Sequence, residues 1–230
     1  MNKYWNVSEK FEGGMRLIIQ MIKKNIRKLL IFQIISKYIL RFRVNFKISR
    51  NMPINLIIGS GGIKYPDWIS TDKSLLDITS NQEWSYYFKR ESVDKILAEH
   101  LFEHLSTDDR NKALKNILFF LKPNGIIRIA VPDGYFPDPD YINQVKPGGY
   151  GPGADDHKFL YTYHSLGRIL TDFGFNLSFL EYYDENMRFH YNEWNPNEGM
   201  IRRSVRFDER NQTGEIRYTS LIIDASKKQG

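Results

Sequence analysis

The spacing of apolar and polar positions changes period along the chain, and each change marks an element. Ile54–Ile58 is a short run of mostly branched apolar residues, the pattern of a strand buried on both faces. Trp68–Thr71, Val93–Ala98 and Ile126–Val131 read as further buried strands, and Asn176–Tyr183 and Tyr218–Ala225 as two final ones. Between them the period lengthens. Ala113, Leu114, Ile117, Leu118 and Leu121 form a helical stripe, with Ser106 as N-cap and Asp109 as its acidic partner. Pro123-Asn124-Gly125 is expected to end that helix and turn the chain. Tyr163–Phe173 reads as a helix closed by Gly174, and Tyr135–Asp156 as a long lid or binding loop. Strands alternating with helices, then a pair of strands, predict an α/β three-layer sheet.

The amino-terminal stretch is different. Within Met15–Phe46, apolar residues at 18, 19, 22, 26, 29, 30 and 34 make a helical stripe, with Lys23, Lys24, Arg27 and Lys28 off it. Its longest apolar run, Leu29–Leu40, is interrupted by Gln33, Ser36 and Lys37, too short and too polar to span a bilayer. Gly13–Arg50 holds ten Lys/Arg and no acid while the whole chain is +6, so the rest carries a net −4. The basic character therefore belongs to an arm, residues 1–50, ahead of a domain at 51–230. That arm suits either packing on the sheet or contact with an anionic membrane surface through residues 15–47, and no nucleic acid is expected. The absence of cysteine excludes disulfides, thiolate metal sites and a cysteine nucleophile, and it fits a cytoplasmic setting.

Candidate chemistry begins at Gly59-Ser60-Gly61-Gly62, directly after the first strand. Glycines there let backbone N–H groups approach a ligand with no Cβ in the way. Asp72, at the end of the next strand, is placed to accept hydrogen bonds from two ribose hydroxyls. His100-Leu101-Phe102-Glu103-His104 matches the H-x-x-E-H pattern of a zinc peptidase. The strand-like lead-in and the helix start at Ser106 speak against it, and no third ligand is evident, so no metal is expected.

Four segments, LIIGSGGIKYPDWISTD (56–72), VDKILAEHLFEHLS (93–106), LKPNGIIRIAVPDG (121–134) and DHKFLYTYHSLGRILTDFGF (156–175), together resemble the class I S-adenosylmethionine-dependent methyltransferases, in particular a small bacterial group. The resemblance covers about 55–230. It implies a doubly wound, Rossmann-like sheet of seven strands with the last antiparallel, and S-adenosyl-L-methionine as cofactor. It implies that Gly59, Ser60 and Gly61 cradle the amino-acid end of the cofactor and that Asp72 binds the ribose. Leu76, Asp77 and Ile78 would face the adenine, and Glu99 and His100 would lie under the methionine portion. Asp133 would border the acceptor pocket.

The gap from Gly59 to Trp68 is too short for a crossover helix, so part of Met15–Leu40 is expected to cover the sheet there. For an acceptor hydroxyl, Asp133, His157 and His100 are the candidate bases, His157 made more basic by Asp155 and Asp156. Tyr135, Phe136, Tyr141, Tyr150, Tyr161, Tyr163 and Trp194 suit stacking on a glycan or a planar small molecule, or packing of a lid. The insert at 184–215, with its arginines at 202–210, suits either a solvated face or a hold on an acidic substrate. A methyltransferase acting on a glycan or small-molecule hydroxyl is the favoured expectation, ahead of a non-catalytic module of the same fold.

Overall fold

The computed structural model describes residues 5–212 and 214–228. Helix α1 (Trp5–Ser49) is continuous. The chain divides inside it into two compact units, Met1–Arg43 and Val44–Gly230. In the first, Leu30, Ile31, Phe32, Ile34, Ile35, Tyr38, Ile39 and Phe42 are all exposed, as are Lys24, Arg27 and Lys28. No helix among the described residues is long and apolar enough to cross a membrane.

The second unit is an α/β fold of Rossmann type. Its strands are β1 (Asn55–Ile58), β2 (Trp68–Thr71), β3 (Val93–Glu99), β4 (Leu121–Pro132), β5 (Phe175–Tyr183), β6 (Phe189–Tyr191) and β7 (Ser220–Lys227). They form one seven-stranded sheet in the order β2-β1-β3-β4-β7-β5-β6. β1, β2, β3 and β4 pair in parallel; β7 runs antiparallel between β4 and β5, and β6 pairs antiparallel with β5 at the far edge. The expected antiparallel last strand is there, and the count of seven includes a short strand inside the insert.

Two local expectations need correction. Pro123-Asn124-Gly125 does not separate a helix from a strand but forms a bulge within β4. Val93 pairs with Leu121 and Lys95 with Ile126, and Asn124 takes φ +61°. The helix ends one step earlier: α3 (Thr107–Phe120) is capped by Ser106, whose side chain accepts from the Asp109 amide. Tyr135–Asp156 is also not all loop. Asp138 caps α4 (Pro139–Val145), with Pro139 opening the helix where its missing N–H costs nothing. Of the other two helices, α2 (Asn81–Tyr87) packs Trp84 flat on Phe120 at 5.3 Å between centroids, and α5 (Tyr163–Asp172) begins with a capping box at Thr162.

One face of the sheet is covered by the insert. Ile57, Trp68, Leu97, Ala130, Leu180 and Ile222, from six strands, form a buried cluster with Trp194 and Ile201. The sheet beside the helix-free β1–β2 connection is packed on this face by the insert. Polar ties fix the insert in place. Glu181 on β5, fully buried, accepts from Trp194 Nε1 (2.9 Å), the Val205 amide (2.7 Å) and Thr219 Oγ1 (2.6 Å). Arg128 on β4, 2% exposed, binds both oxygens of Asp224 on β7 (2.7 and 2.8 Å) and donates to the carbonyls of Asn195 (3.0 Å) and Gly199 (2.6 Å). Its guanidinium also lies over the Trp194 ring, 4.8 Å from the centroid. The aromatic residues expected to stack on a ligand are mostly core: Trp194 lies in this cluster, and Phe136 and Tyr141 pack with Tyr183 and Tyr218 in a second.

Candidate functional site

β1 runs out into a turn in which Gly59, Gly61 and Gly62 all take positive φ (+60°, +54° and +88°). Such backbone is open to glycine and costly for other residues. Gly59 is doubly constrained, since a Cβ there would lie 2.7 Å from Leu101 Cδ1. The turn is held from behind by Asp72, at the end of β2: Gly61 N donates to Oδ1 (2.9 Å) and Ser60 Oγ to Oδ2 (3.0 Å). Ser60 N also donates to Thr71 O at 3.0 Å. Asp72 thus supports the glycine turn and is not part of the cavity wall in front of it.

That cavity, of about 640 Å³, lies at the carboxyl ends of β1 and β3. Gly59, Ser60, Gly61, Glu99 and His100 form one wall, and Arg202, Arg203 and Arg210 of the insert form the other. The insert is latched there by Glu99, whose two oxygens accept from the Arg203 amide (2.9 Å) and the Arg202 amide (3.1 Å). Arg210 is held by a two-point contact to Asp208 (2.7 and 2.6 Å). A second, smaller cavity of about 120 Å³ opens beyond Gly59, lined by Leu76, Asp77, Ile78, Leu101 and Leu105. Among these residues Thr79 holds Asp77 Oδ1 (2.9 Å from N, 2.7 Å from Oγ1). Burial pushes the Asp77 carboxyl up, but those bonds and nearby Lys73 hold it below its ordinary value.

A third cavity, of about 300 Å³, adjoins the first through His100, which lines both. His100 ends β3 in a left-handed conformation, φ +52°, unusual for a residue with a side chain. This bend carries the chain into a single 3-10 turn, Phe102–His104. The H-x-x-E-H residues therefore lie across a strand end and a 3-10 turn, and His100 and His104 do not share the face of an α-helix as a zinc peptidase requires. His100 Nε2 meets Ser220 Oγ at 2.9 Å, and that hydroxyl donates to Arg203 O (2.7 Å). Nε2 must then carry the hydrogen, so Nδ1 faces Glu103 Oε1, 3.2 Å away.

Glu103 is fully buried, yet neither of its oxygens has a hydrogen-bond partner among the described residues. Burial pushes its carboxyl up, and His100, the turn's own backbone and His104 together more than offset that, for a net lowering. His157, 8% exposed, sets Nδ1 on Val145 O at 2.6 Å and packs its ring edge-on to His104, 4.7 Å between centroids. The aspartates beside it do not orient it, contrary to expectation: Asp156 pairs with Lys158 (2.7 Å) and faces His104 Nδ1 (3.5 Å).

Asp133 is placed elsewhere. It is fully buried, and its oxygens accept from the Tyr135 amide (2.9 Å) and the Tyr183 amide (2.7 Å), so it ties the end of β4 to β5 and faces none of the three cavities. Burial raises its pKa to about 6 against the lowering effect of the two amides. Tyr218, before β7, and Ser220, at its start, belong to the site and carried no signal in the sequence, because only the sheet order brings β7 beside His100.

A family model for a methyltransferase domain matches residues 47–178. No curated protein matches the sequence. Similar solved structures include the CurJ carbon methyltransferase, at 16% identity and TM-score 0.46, covering 77% of this chain and 49% of that one. This chain thus spans about half of the CurJ chain. They also include a SAM dependent methyltransferase from Archaeoglobus fulgidus, at 19% identity and TM-score 0.43, covering 84% of this chain and 95% of that one. A third is the 1,6-didemethyltoxoflavin-N1-methyltransferase of Burkholderia thailandensis, at 11% identity and TM-score 0.42, covering 96% of this chain and 90% of that one.

Proposed function

The chain belongs to the methyltransferase-domain family, and on that footing we propose that it transfers a methyl group from S-adenosylmethionine to an oxygen of a small-molecule or glycan acceptor. The observation that carries this reading is the meeting of two unlike cavities at Gly59. On one side is a small pocket walled by Leu76, Ile78, Leu101 and Leu105, suited to a flat adenine, with Asp77 at its rim. On the other is a larger polar space bounded by Gly59, Ser60 and Gly61, suited to a charged amino-acid end. A ligand passing from one to the other crosses Gly59 at the point where a Cβ would strike Leu101.

When bound, S-adenosylmethionine supplies an already activated methyl group. The protein's part is to align it with the acceptor, exclude water and manage the acceptor's proton. Glu99 holds the insert's Arg202–Arg203 backbone over the space, closing it from one side. His100, in the wall common to the first and third cavities, stands where methyl donor and acceptor would meet. The third cavity takes the acceptor: Arg203 and Arg210 on its wall favour an anionic substituent. Of the bases expected from the sequence, His157 and His100 border this space, and Asp133 is engaged elsewhere.

S-adenosylhomocysteine titrated calorimetrically into the wild type is expected to bind at about micromolar Kd, and at least about tenfold more weakly to Asp72→Ala, which loses the support of the glycine turn. No binding by the folded wild type would remove this reading.

The same reading places the protein in the cytoplasm with its arm, residues 15–47, on an anionic membrane surface. The exposed apolar residues from Leu30 to Phe42, beside exposed Lys24, Arg27 and Lys28, support it. The full chain is expected to co-sediment with vesicles containing phosphatidylserine, less so as salt rises, and not with phosphatidylcholine vesicles. Equal recovery with both withdraws the membrane contact and leaves the methyl transfer untouched.

A further inference from the structure

Glu103 poses a physical problem that methyl transfer does not use. A carboxylate with no exposure and no hydrogen-bond partner among the described residues is among the costliest groups a protein can bury, unless a cation is beside it. The His100 ring comes near only Oε1, with Nδ1 3.2 Å away. Oε2 is left with nothing. Around it, on the wall of the 300 Å³ cavity, stand the imidazoles of His104 and His157, with one donor atom from each of the three residues lying within 4.8 Å of the others.

We propose that Glu103, His104 and His157 bind a divalent cation of the zinc class, with its open coordination position facing the third cavity. Two imidazole nitrogens and one carboxylate oxygen are the donor set of an open zinc site and a poor set for magnesium or calcium, which prefer all-oxygen shells. Ligand atoms on a tetrahedral zinc lie about 3.3 Å apart, so small side-chain rotations close the set around an ion. Two of the three ligands are already oriented. The Val145 carbonyl takes the Nδ1 hydrogen of His157 and leaves Nε2 with its lone pair free. Asp156 stands at Nδ1 of His104, which leaves Nε2 of that ring as the donor. The turn bearing Glu103 and His104 is also fastened to the loop bearing His157: Lys158 N donates to Glu103 O at 2.7 Å. The third ligand that a reading of H-x-x-E-H alone lacks thus arrives from this loop, and His100 is replaced in the set, remaining on Ser220 and Oε1.

The test uses the full chain, treated with a chelator and then freed of it, titrated with ZnCl2 in a calorimeter. One Zn²⁺ per chain is expected, with affinity reduced at least about tenfold in Glu103→Gln and in His104→Ala. It should be unchanged in His190→Ala, whose imidazole is held by Asp184 away from the cavity. Zinc binding that survives both ligand variants overturns the proposal, and so does the absence of stoichiometric binding by folded wild type. Should a buried variant fail to fold, Co²⁺ added to the wild type decides. Intense visible ligand-field bands of a low-coordinate nitrogen–oxygen site are expected, and a weak octahedral spectrum refutes it. S-adenosylhomocysteine binding, measured on the same metal-free protein, reports separately on the cofactor site, so failure of one does not mimic failure of the other.

Discussion

Arg128→Met is expected to lower the stability of the domain by about 3–5 kcal/mol, the cost of leaving a buried ion-pair partner alone. The substitution keeps most of the side-chain volume and removes only the charge and the donors. It strands Asp224, whose side chain is 17% exposed, and leaves the Gly199 carbonyl without its Arg128 donor. It also removes the cation from the Trp194 face. At about 2–4 °C per kcal/mol for a domain of this size, the melting temperature should fall by roughly 6–20 °C. The double variant Arg128→Met/Asp224→Leu should recover much of that loss, because an apolar pair of similar volume no longer strands a charge. Urea unfolding of the single and double variants measures both effects. A single-variant loss below about 1 kcal/mol would mean that the insert is not anchored through this arginine.

The second large effect is a pH dependence carried by Asp133. Its pKa stands at about 6 in the fold against 3.8 unfolded, so between those values the folded state holds the proton more tightly. Stability then falls as pH rises, because the folded state binds more protons than the unfolded one. The favourable contribution is fully present below about pH 4 and is lost by about pH 6. Two units correspond to about 3 kcal/mol. Other carboxyls, such as Asp77 and Asp208, are shifted the opposite way and mask this in the wild type alone. The measurement is therefore a difference. Asp133→Asn cannot titrate, and it bears a fixed penalty because its amide group cannot accept from both Tyr135 N and Tyr183 N. From about pH 3 to pH 7 the wild type should lose about 3 kcal/mol relative to this variant. A constant difference would place the proton elsewhere.

Where function was legible in the sequence, the signal was local. Ile54–Ile58 followed by Gly59-Ser60-Gly61-Gly62 states a buried strand and a glycine turn within nine residues, and the three glycines take the positive φ that such a turn needs. Asp138-Pro139 is an equally local helix start, set inside a segment dominated by loop-forming residues. Asp133 marks where local reading ends. An acid after a strand looks the same whether it faces a pocket or turns inward, and here the Tyr135 and Tyr183 amides draw it inward. His157 beside two aspartates likewise suggested a partnership, but the 3-10 turn at Ala154–Asp156 aims Asp156 at His104 and gives His157 to Val145. Arg128 in a strand gave no hint that it would be buried, because its partner Asp224 becomes its neighbour only when β7 pairs with β4.

The position of β7 also sets an order on assembly during synthesis. β5 and β6 leave the ribosome before the strand that connects them to β4, and by sheet order they have no other route into the sheet. Until Ser220–Lys227 emerges, the edge of β4 and the edge of β5 both stay open, Arg128 waits without Asp224, and His100 lacks Ser220. The nascent chain thus carries two unpaired edges, the kind of surface that recruits chaperones or wrong partners, for as long as translation of 184–219 takes. Closure of the sheet and completion of the site are then one event, timed by a single late strand.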